Sequence, residues 1–186
     1  MKNMGVLVGF LPLIVYGILS GATLESQQIA LLAACIVSLV VGYKTLKRGF
    51  YLEWANFLMF TGALLCISVL HIVVIAEYMT IIIYLVLSLV AFGSLIAGVP
   101  FTLQYARDMV DPSRWDHPVF KSVNVFMTGV WGSLFLVNLV LVTYAKFGAG
   151  FAAQVAGMAI YGVLALGLAF TILYPEYLRK KQQRRG

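Results

Sequence analysis

Six long apolar runs, separated by short polar segments, dominate the pattern of residues along the chain. We place these runs, to within a few residues, at about 4–20, 27–43, 54–75, 78–101, 122–145 and 150–174. Runs of this length and character are typical of helices that cross a hydrocarbon core about 30 Å thick. The pattern therefore predicts an all-α protein, a polytopic transmembrane helical bundle with six spans.

Details of the first four runs refine this prediction. Pro12 lies inside the first run and predicts a kink, because proline removes a backbone donor; although this run has the outline of a signal peptide, we expect it to be retained as a span. The second run has a short apolar core, Ile29 to Gly42, which fits a span lengthened by snorkelling lysines or a re-entrant hairpin. Only Ala76 and Glu77 separate the third and fourth runs, so a tight antiparallel hairpin is expected.

Lysine and arginine fall almost entirely on one side of the predicted bundle. The chain has 13 of them, and with a cytoplasmic N-terminus only Lys146 lies on the opposite side. Since cytoplasmic loops carry an excess of basic residues, both termini are expected in the cytoplasm. Residues 1–174 then form a single transmembrane domain, and residues 175–186 form a basic cytoplasmic tail against anionic lipid headgroups.

Composition supports the same class of protein. With 62% hydrophobic and 11% charged residues and a mean hydropathy of +0.96, the chain lies outside the range of soluble domains. The net charge of +6 is explained by membrane topology, so no nucleic-acid partner is expected. Cys35 and Cys66 lie inside apolar runs, where they fit small packing residues.

The fifth run carries a polar and aromatic stripe. Its members recur at steps of four, three, four and three residues: Asn124, Thr128, Trp131, Phe135 and Asn138. This spacing places them on one helix face, which we expect to point into protein, because amides exposed to lipid leave hydrogen bonds unmade. Two interpretations remain: hydrogen bonds that join helices, or an amide-lined cavity for a lipid headgroup or small solute.

A polar pair is predicted at the outer side of the membrane. His71 lies about one turn from the outer end of the third run, and Glu77 follows the hairpin. The pair suggests either a proton relay or an interfacial histidine bonded to a backbone carbonyl. We expect no carboxylate deeper in any run that would extend such a relay.

The loop between the fourth and fifth runs is the longest charged segment. Four of its residues are candidates for contact with a partner or with lipid headgroups: Arg107, Arg114, Trp115 and Lys121. Its acidic residues and histidine are expected to bond to the loop arginines Arg107 and Arg114 and to water, since they match no metal-ligand spacing: Asp108, Asp111, Asp116 and His117. We predict no metal, no cofactor and, for want of a catalytic set, no enzymatic activity.

The sixth run is rich in small residues. Ala152 and Ala156, and Ala153 and Gly157, form small-xxx-small pairs. Such pairs let helix backbones approach closely, so tight packing is expected, either within the bundle or between copies.

Four segments resemble the bacterial intracellular septation protein A family of small inner-membrane proteins. They are FLPLIVYGIL at Phe10 to Leu19, the basic end of the second run at Lys44 to Arg48, the hairpin with TIIIY at His71 to Tyr84, and Lys121, Asn124 and Asn138 in the fifth run. The chain departs from the family pattern before the fourth and sixth runs, where it reads AEYMT and GAGFAAQVAG, so it is expected to be a divergent member or a similar membrane protein.

The resemblance implies a non-enzymatic scaffold that supports envelope integrity or septation by contacting other membrane proteins or copies of itself. Two other functions are compatible with the residues. The first is a small transporter or channel along the polar stripe of the fifth run. The second is an accessory subunit of a larger membrane complex.

Overall fold

The structure is a computed structural model that describes residues 8–183, with side chains for residues 8–174 and Tyr177. All regular secondary structure in these residues is helical. The helices are α1 (Leu11–Leu19), α2 (Leu24–Val40), α3 (Tyr43–Lys47), α4 (Tyr51–Ser68), α5 (Val74–Ile96), α6 (Phe101–Arg107), α7 (Pro118–Phe147) and α8 (Gly150–Gln183), with a 3-10 turn at Pro112–Arg114.

Within the described residues, four helices are long and apolar enough to cross a membrane. They are α4, α5, α7 and the Gly150–Tyr174 part of α8. Their lengths and composition identify a helical membrane protein. The helices α1, with 9 residues, and α2, with 17, are shorter than these four.

The link between the third and fourth predicted runs differs from the sequence-based expectation. Ala76 and Glu77 lie in the first turn of α5, and the connection is residues 69–73, so the predicted link is wrong. The chain turns where His71 adopts a left-handed conformation with φ of 55°. Glu77 near the N-terminus of α5 is favoured by the helix dipole. Polarity was therefore a poor guide to this turn.

The two ends of the chain also differ from their predicted boundaries. The helix breaks at Phe10, so that Pro12 falls in the first turn of α1, where a missing N–H costs little. The predicted kink is therefore a break just before Pro12, and residues 4–7 of the predicted span lie outside the described part. At the other end, α8 continues to Gln183, so most of the predicted tail is helical in its backbone.

Two glycines end helices with the same turn. In the turn after α3, Gly49 has φ of 75°. Its N–H donates to Leu46 O, and Phe50 N donates to Thr45 O. Gly98, with φ of 73°, makes the equivalent bonds after α5. This is the Schellman motif, which favours glycine because side chains are disfavoured at positive φ. The two turns direct α4 and α6 into the same end of the bundle.

Successive long helices pack as antiparallel neighbours in the order α1, α2, α4, α5, α7 and α8, and α6 lies against α7. The start of α1 reaches back to the middle of α7, where the ring centroids of Phe10 and Trp131 are 4.9 Å apart. This contact closes the bundle around one apolar core. α8 packs chiefly on α7, so it lies at the edge of the bundle.

Candidate functional site

The predicted stripe of the fifth run lies inside the bundle. We call Asn124, Thr128, Trp131, Phe135 and Asn138 the α7 stripe; each of these residues is at most 3% exposed. The expectation that this face of the helix points into protein is therefore confirmed. The stripe lies against α1, α5, α6 and α8, which supply its contacts.

The cytoplasmic half of the stripe, by the predicted orientation, is bonded to α6. The hydroxyls of Thr128 and Thr102 are 2.8 Å apart, and the Thr102 hydroxyl is also 3.0 Å from Asn124 O. The Asn124 amide donates to Phe120 O, one turn earlier in its own helix, at 2.8 Å. These bonds satisfy buried groups and hold α6 against α7.

The other half of the stripe is bonded to α8. Trp131 Nε1 donates to Thr171 Oγ1 at 3.0 Å, and Asn138 Nδ2 donates to Ile160 O at 3.5 Å. The Tyr84 hydroxyl approaches the Asn138 side chain, but Asn138 Oδ1 makes no hydrogen bond of good geometry. With this exception, the polar side chains of the stripe are joined to neighbouring backbone or side chains, which is how polar groups link helices in a membrane.

Small residues of α8 permit this contact. Gly167 lies against Trp131, and a Cβ at Gly167 would fall 3.0 Å from the indole ring. Of the predicted small-residue pairs, Ala153 and Ala156 are buried, whereas Ala152 is exposed. The buried face of α8 therefore combines one residue from each predicted pair.

A second polar region, which the sequence reasoning missed, lies where α2, α3, α4 and α6 meet. Its central residue is Glu53, in the first turn of α4, which is 1% exposed. The hydropathy boundary at Trp54 leaves this carboxylate just outside the third run, so its burial was not predicted. We call it and its neighbours the Glu53 cluster: Ser38, Gly42, Thr45, Glu53, Asn56 and Tyr105.

The contacts of Glu53 come from three other elements. The Tyr105 hydroxyl of α6 donates to Glu53 Oε1 at 3.3 Å, and the Thr45 side chain of α3 lies beside the carboxylate. A Cβ at Gly42, after α2, would fall 2.9 Å from Glu53 Oε2, so glycine allows the carboxylate to approach. Burial, and then the Glu53 carboxylate, raise the pKa of Tyr105 far above its ordinary value, so this hydroxyl keeps its proton.

A signal for this cluster exists in the sequence. The buried positions Glu53, Asn56, Phe60, Ala63 and Ile67 repeat at steps of three and four, as the α7 stripe does. Hydropathy placed the start of the third run at Trp54, which left Glu53 outside the predicted span. A search for helical spacing that includes flanking polar residues would have found it.

The acidic residues of the charged loop take local roles rather than forming a site. Asp108 makes two 2.7 Å bonds to Arg48, which raise the pKa of Arg48. Asp111 accepts from Ser113 N at 2.9 Å, and Asp116 pairs with Lys121 at 2.9 Å. The Ser113 side chain, and then its backbone N–H, lower the pKa of Asp111, and the bond to Lys121 lowers the pKa of Asp116. Asp108 and Asp116 therefore pair with Arg48 and Lys121, and the expectation that they pair with Arg107 or Arg114 is wrong.

The remaining loop residues serve packing and capping. The guanidinium of Arg107 lies over the Trp115 ring at 5.5 Å, and Trp115 Nε1 donates to Arg107 O at 3.1 Å. His117 Nδ1 accepts from Val119 N at 3.2 Å and so caps α7. Arg114 and Lys121 are exposed. No group of three or more metal-ligating His, Cys, Asp or Glu side chains occurs among residues 8–174.

The structure does not bring His71 and Glu77 together as a bonded pair. His71 is exposed in the link between α4 and α5, whereas Glu77 Oε2 lies 3.6 Å from Lys146 Nζ at the end of α7. Lys146 also lies over the Tyr78 ring at 5.2 Å. This exposed ion pair connects the start of α5 to the end of α7 at the surface of the bundle.

Comparison of the chain with protein families, with characterised proteins and with solved structures finds no match. The class of the protein, a helical membrane protein, therefore follows from its own helices. Its two buried polar regions, the α7 stripe and the Glu53 cluster, carry the functional argument.

Proposed function

We propose that this chain is a non-enzymatic scaffold of a bacterial-type inner membrane, which supports envelope integrity or septation by contacting other membrane proteins. One observation carries the proposal. The α7 stripe, the longest buried polar face, is used to join α6, α7 and α8 by hydrogen bonds. This use of polar residues suits a rigid framework for helix contacts better than a solute path. The family resemblance points to the same role.

The proposal includes six spans, with both termini in the cytoplasm. At about 1.5 Å per residue, the 17 residues of α2 extend about 26 Å, slightly less than a typical hydrocarbon core. Lys44 and Lys47 follow it and are exposed, so they extend its reach by snorkelling. The distribution of basic residues supports the orientation, because Lys146 alone lies on the outer side in this arrangement.

The surfaces offered to partners are the outward face of α8 and the charged loop. Tyr161 of α8 is 76% exposed and Arg114 of the loop is exposed. In a membrane, acyl chains or a partner helix would cover Tyr161, and anionic headgroups or a partner loop would meet Arg114. Self-association through α8 is included in this proposal, since Ala152 and Gly162 also face outward.

Photo-crosslinking in native membranes tests the scaffold. A photoreactive residue placed at Tyr161 or at Arg114 should yield discrete protein adducts, whereas the same residue at the buried Met127 should yield none to other chains. Arg114→Glu should remove the loop adducts and impair septation without lowering the amount of protein. Adducts to lipid alone at both exposed positions would contradict the scaffold. Adducts to one partner in fixed ratio would identify an accessory subunit of a larger complex.

A second candidate is a small transporter or channel for a solute or lipid headgroup. The observation that favours it is Asn138 Oδ1, a buried acceptor without a partner, on a side chain that also lies near Tyr84. Asn138→Leu should abolish solute flux into vesicles while the protein stays folded. On the scaffold proposal, the same change only weakens the packing of α7 on α8.

A further inference from the structure

The charge of Glu53 is not matched by a basic side chain. Three ion pairs occur in the part of the chain with described side chains, and none of them includes Glu53. The nearest arginine in sequence, Arg48, is bonded to Asp108 and stacked over the Phe50 ring at 4.7 Å. A carboxylate that is 1% exposed is costly unless something neutralises it.

Two further oxygens in the Glu53 cluster lack partners. Ser38 Oγ and Asn56 Oδ1 are buried and make no hydrogen bond, and both residues are 0% exposed. Asn56 lies one turn after Glu53 on the same face of α4, with its amide donating to Gly9 O at 2.8 Å. Ser38 lies one turn before Gly42, whose Cβ position borders both the Ser38 carbonyl and Glu53 Oε2. Both unpartnered oxygens therefore belong to residues one turn away from the carboxylate or its contacts: Asn56 from Glu53 itself, and Ser38 from Gly42.

The chemistry of this donor set is uniform. The groups that contact Glu53 or lack a partner in this cluster are oxygens: the Tyr105 and Thr45 hydroxyls, the Ser38 hydroxyl and the Asn56 amide oxygen, with the Ser38 carbonyl at the C-terminal end of α2 nearby. Hard oxygen ligands select alkali and alkaline-earth cations over transition metals. The C-terminal end of a helix also favours positive charge. Helix ends and unwound carbonyls bind sodium in membrane proteins for the same reason.

We propose that the Glu53 cluster is a binding site for one small monovalent cation of the sodium type. A single carboxylate balances one positive charge, whereas divalent cations are usually held by more acidic ligands. Glu53 supplies the negative charge, and Ser38 and Asn56 supply the buried oxygens that now lack partners. Tyr105 positions the Glu53 carboxylate through its hydrogen bond, as outer groups do for metal ligands. The bound cation joins α2, α4 and α6, and this assignment does not depend on the scaffold role.

Equilibrium binding of radioactive sodium to the full-length protein in detergent tests the site. The wild-type chain should bind about one ion in a saturable manner, with choline chloride holding ionic strength constant. Glu53→Gln, which keeps the shape and the Tyr105 contact, should abolish binding. Tyr105→Phe should weaken affinity about tenfold. Glu25→Gln, an exposed carboxylate at the other end of α2, is the matched control and should bind as the wild type does.

Ser38→Ala separates this proposal from a failure of folding. Because the change removes a buried oxygen without a partner, it should leave the sodium-free protein at least as stable as the wild type. Its sodium affinity should nevertheless fall about tenfold, comparable to the loss of an outer-shell group. Wild-type protein that binds no sodium, or Glu53→Gln protein that binds it normally, would overturn the site and identify Glu53 as a neutral structural acid. Neither result would bear on the cross-links that test the scaffold.

Discussion

The α7 stripe and the start of α4 present the same sequence pattern but reach different chemical states. Both place polar and large apolar residues at steps of three and four on one buried face. On α7, Thr128 and Trp131 bond to neighbouring helices. On α4, Glu53 has a tyrosine hydroxyl as partner, and the Asn56 carbonyl has none. Burial of a polar stripe therefore does not reveal its role; the state of its hydrogen bonds does.

Because of this difference, we expect the α7 stripe to contribute to the stability of the fold and the Glu53 cluster to contribute to ligand binding. The α7 stripe carries no charged side chain and leaves one buried acceptor, Asn138 Oδ1, without a partner, so it gains little from a cation. A cluster with a buried charge and spare oxygens is stabilised by whatever cation supplies the missing interactions. We therefore expect changes in the α7 stripe to lower stability under all conditions, and changes in the Glu53 cluster to alter the response to sodium.

The largest effect is expected for Trp131→Ala. The indole is 1% exposed and contacts Phe10 of α1 as well as Thr171 of α8. Removing it leaves a cavity, so the free energy of unfolding in mixed micelles should fall by about 3 kcal/mol. Phe151→Ala, at an aromatic residue of α8 that is 80% exposed, is the control and should change stability little. If the two changes lower the free energy of unfolding equally, the α7 stripe does not contribute more to packing than an exposed residue does.

A smaller effect is expected for Thr128→Val, which keeps the shape and removes only the hydroxyl. The Thr102 hydroxyl retains Asn124 O as an acceptor, so the loss should be about 1 kcal/mol in the same unfolding measurement. Thr143→Val is the control, since the Thr143 hydroxyl bonds only to Leu139 O of its own helix. If Thr143→Val lowers the free energy of unfolding as much as Thr128→Val does, the hydrogen bond between α6 and α7 does not stabilise the fold more than a bond within one helix does.

The next largest effect is the coupling free energy between Arg48 and Asp108, an ion pair that lies beside the Glu53 cluster. The pair is bidentate but half-exposed, with side chains 49% and 42% accessible. A double-mutant cycle with Arg48→Gln and Asp108→Asn should give about 0.5 kcal/mol, falling as salt is added. A coupling that persists at high salt would mean that this pair, rather than a bound cation, organises this end of the bundle.

The smallest effect concerns pH. Lys121 lowers the pKa of Asp116 below its ordinary value of 3.8. The stabilisation is therefore complete above that value and is lost as pH falls through the lower folded pKa. In Asp116→Asn protein, the unfolding temperature should lose this small acid-dependent component, whereas Glu25→Gln protein should keep it. Identical acid profiles for wild-type and Asp116→Asn protein would show that the Lys121 pair is not maintained.

Short-range regularity accounts for what could be predicted from sequence. The inward direction of the α7 stripe follows from helical spacing within one segment, and so does the helical membrane class. Glu53 shares this spacing but lies outside the run that hydropathy bounds at Trp54, and its contact with Tyr105, 52 residues away along the chain, follows from no local pattern. The Arg48–Asp108 pair, separated by 60 residues, was missed for the same reason.

The turn between α4 and α5 teaches a related lesson. Polarity marked Ala76 and Glu77 as the link, yet the chain turns at His71 among apolar neighbours. In a membrane protein, apolar residues occur in turns as well as in spans, so hydropathy locates helix ends poorly. Glycine-based ends are clearer: Gly49 and Gly98 each stop a helix in the same hydrogen-bonded turn, with Phe50 directly after the first and Pro100 two residues after the second.

The most direct test of this contrast is the sodium dependence of the unfolding temperature in the wild type, Asn138→Leu and Glu53→Gln. With choline replaced by sodium at about ten times its dissociation constant, the wild-type value should rise by about 4 °C. Asn138→Leu should unfold at lower temperature throughout but show the same rise, and Glu53→Gln should show none. An unchanged rise in Glu53→Gln, or its loss in Asn138→Leu, would contradict the separate roles of the two polar regions.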